Sequence, residues 1–122
     1  MIKYTKDHEW IRIEGDVATI GITNHAQGQL GDVVFVDVPE IGRIVSAKEA
    51  VAVVESVKAA SDVFAPISGE IVASNMDLAT QSALVNEDAE GKAWFFKIKF
   101  SNKAELDGLM DKAAYDAFCA SA

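Results

Sequence analysis

Basic residues and cysteine are scarce in this chain, and long apolar runs are missing. Eleven lysines and arginines face nineteen acidic residues, a formal net charge of -8. So acidic a balance argues against nucleic acid and anionic membrane surfaces as partners, since both call for basic patches. The single cysteine, Cys119, cannot close an internal disulfide, and a reducing compartment is the simplest setting. Cys119 itself reads as a helix-face thiol without a role. No apolar run approaches a membrane span. The opening residues, Met1 to His8, hold neither a signal-peptide core nor an Arg/Ser-rich transit segment. The expected location is the bacterial cytoplasm, with a mature mitochondrial form as the alternative. Two histidines, His8 and His25, could do acid–base work near neutral pH. The sequence near them supplies no nucleophile, metal-ligand cluster or phosphate loop. They read as structural or surface residues, and neither a catalytic residue nor a metal site is expected.

What is there suits one compact domain rather than two: 122 residues, half of them hydrophobic, which is enough for a core. Trp10 to Glu14 and Val17 to Ile22 alternate on either side of Gly15-Asp16, the pattern of a hairpin. Thr23-Asn24 can cap a short helical turn over His25 to Gln29, which Gly28 and Gly31 should break. Val33 to Val38 reads as a strand closed by Pro39, Ile44-Val45 as an extended pair, and Glu70 to Ala73 as another strand. Asp77 to Glu90 reads as a loop with a helical turn around Leu78 to Ser82. Trp94, Phe96, Ile98 and Phe100 alternate with Phe95, Lys97 and Lys99, a half-buried strand. Asn102 and Glu105 have capping-box spacing. Leu106, Leu109, Met110, Ala113 and Ala117 then recur at helical spacing, which predicts one amphipathic helix over residues 103–118. Two similar strings, Gly31-Asp32-Val33-Val34 and Gly69-Glu70-Ile71-Val72, suit a sandwich of two similar halves.

Between those strings lies Val51 to Pro66, read as strand, turn and strand. Val51, Val53 and Val54 favour a pleated, half-buried surface, and Pro66 ends the second run because it cannot donate to a ladder. The turn, Glu55-Ser56-Val57-Lys58-Ala59-Ala60-Ser61-Asp62, is small and polar and holds one lysine. Lys58 near such a tip, with alanines after it, is an accessible amine that a modifying enzyme could single out. A turn lysine on its own is a weak motif and most often only a solvated charge.

The full string is more specific. E-S-V-K-A-A-S-D followed by A-P-I-S-G-E resembles the lipoyl-attachment hairpin of the glycine cleavage system H protein family. H-E-W at His8 to Trp10, G-D-V-A-T-I-G-I-T at Gly15 to Thr23, L-G-D-V-V-F-V at Leu30 to Val36, L-V-N-E-D at Leu84 to Asp88 and W-F-F-K-I-K at Trp94 to Lys99 match the same family. The resemblance covers nearly the whole chain. It implies a mainly β barrel-sandwich hybrid of the lipoyl/biotinyl-carrier kind, with short helices and a C-terminal amphipathic helix, forming a single carrier domain over residues 1–122. The β sandwich would occupy about 1–100.

The resemblance further implies a non-catalytic carrier with lipoate covalently bound at Lys58. Glu55, Ser56, Val57 and Ala59 would shape the hairpin for a lipoate ligase or a lipoyl/octanoyl transferase. Amidation would take the formal charge from -8 to -9. The arm would shuttle the aminomethyl group of glycine between glycine decarboxylase (P protein), aminomethyltransferase (T protein) and dihydrolipoyl dehydrogenase (L protein). Glu9 and Asp62 match positions that would shelter the loaded arm in a surface cleft; read as residues only, they are a strand-end charge and a hairpin hydrogen bonder. A monomer is expected. Two departures from the family touch loops: Ala89 to Trp94 replaces a Pro-Tyr-Gly-type turn, and Ala47-Lys48 stands where glycine is often found. Other readings are a swinging-arm domain of a 2-oxo acid dehydrogenase or biotin enzyme, an enzyme, and a relay that donates its lipoyl group to other complexes. Biotin domains, however, typically flank the lysine with methionine, and no catalytic constellation is present.

Overall fold

The structure, a computed structural model, describes residues 2–121. Alternation and turn chemistry place the first hairpin as expected, and a strand that no periodicity announced precedes it. β1 (Ile2–Tyr4) pairs with β2 (Glu9–Glu14), and β2 turns at Gly15-Asp16 into β3 (Val17–Ile22). Trp10 lies over Gly21, where a Cβ would meet the indole at 2.6 Å, so only glycine lets the two strands lie this close under the ring. Thr23 caps α1 (Asn24–Leu30), its hydroxyl accepting from Ala26 N. Gly28 lies inside this helix rather than ending it; Gly31, with φ 81°, ends it.

β4 (Val33–Asp37), β5 (Ile44–Val45), β6 (Ala50–Ser56), β7 (Ala60–Phe64) and β8 (Gly69–Ser74) follow. The stretch expected as a loop with one helical turn holds two, α2 (Asp77–Thr80) and α3 (Leu84–Glu87). β9 (Phe96–Lys99) begins two residues later than the alternation suggested. Phe95 is as fully buried as Phe96, and its N–H donates out of the strand to Ile20 O.

The strands form two sheets, β1-β2-β3-β9-β8-β5 and β4-β6-β7. Inward residues of both, among them Ile11, Ile20, Val36, Val54, Ile71 and Ile98, share one buried core. The architecture is thus mainly β, a two-sheet sandwich with short helices. The two Gly-acid strings lead into β4 and β8, which lie in different sheets.

The C-terminal segment departs from the single helix predicted over 103–118. It is a 3-10 helix (Lys103–Gly108) followed by α4 (Lys112–Ser121). The break has a physical cause. Met110 exchanges both backbone hydrogen bonds with Tyr4, each 2.8 Å, which demands an extended chain at Leu109-Met110. Asp111 then restarts the helix by accepting from Ala114 N. Asn102 caps as expected, but Glu105 does not close the box. Its carboxylate instead accepts from Ser68 N and Ser68 Oγ, tying the 3-10 helix to the turn before β8. The apolar side of α4 packs Tyr115, Phe118 and Cys119 with Tyr4 and Trp10 in a second cluster. No helix among the described residues is long and apolar enough to cross a membrane.

Candidate functional site

β6 and β7 pair antiparallel from Ala50↔Phe64 up to Glu55↔Ala60, so Ser56 to Ala59 form the tip. Ser56 organises that tip. Its N–H donates to Ala59 O (2.8 Å), and its hydroxyl oxygen accepts from Lys58 N (3.2 Å) and Ala59 N (3.1 Å). Val57 N donates to Asp32 O, anchoring the turn to the segment after α1. Val57, Lys58 and Ala59 are exposed, and Glu55 and Ser56 are half-buried. Exposed Val34 joins Glu55 to Ala60 around a shallow concavity of mixed polarity, and exposed Phe35 lies opposite Glu55 in the β4–β6 register. The stem of Lys58 passes over Gly31: a Cβ there would lie 2.9 Å from Lys58 Cε. Gly31 therefore supplies both the left-handed backbone that ends α1 and the space the lysine crosses.

Below the tip, a cavity of about 160 Å³ lies against the hairpin. Ile22, Leu30, Val54 and Val63 contribute apolar walls, and Asp7, Glu9 and Asp62 contribute carboxyls. Glu9 and Asp62, 53 residues apart in the chain, thus line one cavity. They differ in environment. Asp62 is exposed, whereas Glu9 is only 2 % exposed, not the solvated strand-end charge that its position on a β-strand terminus suggests. Glu9 Oε2 accepts from Phe64 N at 2.6 Å, and Oε1 accepts from the Thr5 hydroxyl at 3.2 Å. Burial pushes its pKa up from 4.5 to about 8; Asp7 adds to the rise, and the bonds from Phe64 and Thr5 oppose it. Near neutral pH the buried group is mostly the neutral acid. A cation entering the cavity would favour its carboxylate form.

Three features escaped the sequence reading. Asp7 lines the cavity beside Glu9. Val34 and Phe35 both turn outward beside the tip, although they are neighbours in the strand read over Val33 to Val38. His8, His25 and Cys119, remote in sequence, come together against Tyr115. Only the first had a local signal, its place next to H-E-W.

A two-sheet barrel-sandwich whose hairpin presents one lysine is the architecture of the lipoyl- and biotinyl-carrier class. Comparison with known proteins resolves the class further. The family model of the glycine cleavage H-protein matches residues 2–122. The glycine cleavage system H protein of Bradyrhizobium diazoefficiens is 65% identical over 117 residues, covering 96% of each chain. That of Thermotoga maritima is 59% identical over 120 residues, covering 98% of this chain and 97% of its own. The crystal structure of a glycine cleavage system H protein from Mycobacterium marinum is similar with a TM-score of 0.84 at 37% identity, covering 95% of this chain and 94% of that one. The chain belongs to the glycine cleavage H-protein family, carrier components of the glycine cleavage system.

Proposed function

We propose that this chain is a non-catalytic lipoyl carrier. It shuttles the aminomethyl group of glycine, on a lipoyl arm at Lys58, between glycine decarboxylase, aminomethyltransferase and dihydrolipoyl dehydrogenase. The observation that carries the proposal is the placement of Lys58: exposed on a tip braced by Ser56, beside a cavity that joins apolar walls to Glu9 and Asp62. These residues fit a lipoyl group. Gly31 leaves room at the root of the arm, Ile22, Leu30, Val54 and Val63 match a hydrocarbon chain, and the carboxyls match an ammonium end. The cavity begins at Ser61, three residues on from Lys58, at most roughly 10 Å of extended chain, a span that an extended lipoyl-lysine can cover.

When bound, lipoate supplies the reactive sulfurs of the transfer chemistry. The protein's own contribution is placement. Ser56 holds the turn in one geometry, so the amine meets the attaching enzyme in a constant orientation. Glu55, Val57 and Ala59 frame it, and Val34 and Phe35 extend the surface that a lipoate ligase or lipoyl/octanoyl transferase would contact. In the cavity, Asp62 and Glu9 hold a cationic end, and the apolar walls limit the water that reaches it. Tethering replaces free diffusion between partners by a local effective concentration. The carrier acts as a cytoplasmic monomer.

Intact mass after incubation with lipoate ligase, lipoate and ATP tests the attachment. One lipoyl increment on the native chain and none on Lys58→Arg is the expected result. No increment, or one that persists in the variant, overturns it. Loading of the lipoylated chain by glycine decarboxylase then tests the cycle.

A further inference from the structure

We propose that His8, His25 and Cys119 form a site for one zinc-type transition-metal dication, on the side of the sandwich where α4 docks; His8 also lines the cavity below the Lys58 hairpin. They are the one group of three metal-ligating side chains that the fold gathers among the described residues, and their ligand atoms all lie within 4.8 Å of one another. Tetrahedral zinc with bonds of about 2.0–2.3 Å sets its ligands about 3.3–3.6 Å apart. Side-chain rotations of about an ångström would therefore close the site around an ion. Two imidazoles and a thiolate form a borderline-soft set that suits zinc, cobalt or copper and not magnesium or calcium.

A second observation points the same way. His25 Nε2 is buried and has no hydrogen-bond partner. A buried polar nitrogen without a partner is costly, and native structures rarely keep one without a reason. Ligation would supply its partner. His8 is already oriented. Its Nδ1 is 2.7 Å from Tyr115 Oη, which is also 2.7 Å from Thr23 Oγ1, the cap of α1. A metal-binding histidine is commonly fixed by a hydrogen bond at one of its ring nitrogens. The two imidazole rings lie 4.4 Å apart and are tilted by 31°.

Access and the fourth position are also present. His25 and Cys119 line an open cavity of about 320 Å³ together with Thr23, Glu90 and Tyr115. Water from that cavity would complete the set. Such an ion would clip together three separate segments: the turn before β2, the first turn of α1 and the last turn of α4.

The test uses the full chain without lipoate, titrated with cobalt(II) and with zinc. The expected result is one ion retained per chain, a thiolate-to-cobalt charge-transfer band in the near ultraviolet, and a higher Tm with zinc. Cys119→Ser should abolish the band, and His25→Asn should weaken binding by about tenfold or more. For His8 the variant is Asn, because φ at His8 is 63° and asparagine tolerates that backbone. Circular dichroism checks that each variant folds. The band in the native chain reports thiolate ligation whether or not a variant folds. No retained ion, no thiolate band, or binding that is unchanged in folded Cys119→Ser and His25→Asn overturns the proposal.

Discussion

Glu9, the first residue of β2, accepts the backbone N–H of Phe64, the last residue of β7, at 2.6 Å. One carboxyl therefore joins the large sheet to the base of the Lys58 hairpin. Its folded pKa is raised to about 8 by burial, against 4.5 in the open chain. A raised folded pKa means that the folded state binds the extra proton, so stability is fully present below about pH 4.5 and falls as pH rises towards 8. The loss is at most about 5 kcal/mol, at roughly 1.4 kcal/mol per pKa unit. Chemical denaturation at a series of pH values should show this decline, and Glu9→Gln should flatten it. A native curve that is level across the window would remove the buried acid from the account.

The same residue should govern how long the loaded carrier survives. Glu9 and Asp62 line one cavity, where a cationic arm end would be held away from water. Glu9→Gln and Asp62→Asn, each loaded by glycine decarboxylase, should release formaldehyde and ammonia several-fold faster than the native carrier. A time course of free formaldehyde measures it. Equal rates would leave the cavity without a sheltering role.

Gly31 should be intolerant of any side chain. Its φ of 81° and ψ of -153° fall in a region that is essentially open only to glycine, and Lys58 Cε occupies the space of a Cβ. Gly31→Ala should cost roughly 1–3 kcal/mol and slow lipoylation at Lys58, since the lysine must swing away. Thermal unfolding and a mass-resolved lipoylation time course read the two effects separately.

Lys48 is the converse case, a lysine with φ of 74°. The left-handed backbone costs an L-residue roughly 1–2 kcal/mol, and glycine loses part of that advantage through its freer unfolded chain. Lys48→Gly should therefore raise stability by about 0.5–1 kcal/mol, seen as a higher midpoint in urea with the slope unchanged. Its N–H bond to Ala65 O does not depend on the side chain and should survive.

Much of the fold was legible because its signals are local. The alternation around Gly15-Asp16 marks β2 and β3, and the valines before Glu55 mark β6. The signal failed where a distant partner overrides local preference. Leu106 to Ala117 repeat at helical spacing, yet the pairing of Met110 with Tyr4 breaks the helix. β1 is three residues long and too short for a period; it exists because β2 offers an edge. Val34 and Phe35 sit in an apolar string, and only the sheet's position decides that they face outward.

The division at the candidate site follows the same physics. Turn chemistry around Ser56 places Lys58 on a tip among small residues, a local signal from which the accessible amine could be read. The resemblance to the H-protein family likewise rested on contiguous strings that the sequence carries. The burial of Glu9 and its raised pKa, the cavity it shares with Asp62, and the meeting of His8 and His25 with Cys119 arise only in the packed chain. Desolvation and side-chain proximity depend on which distant segments pack together, and no spacing along the chain encodes them.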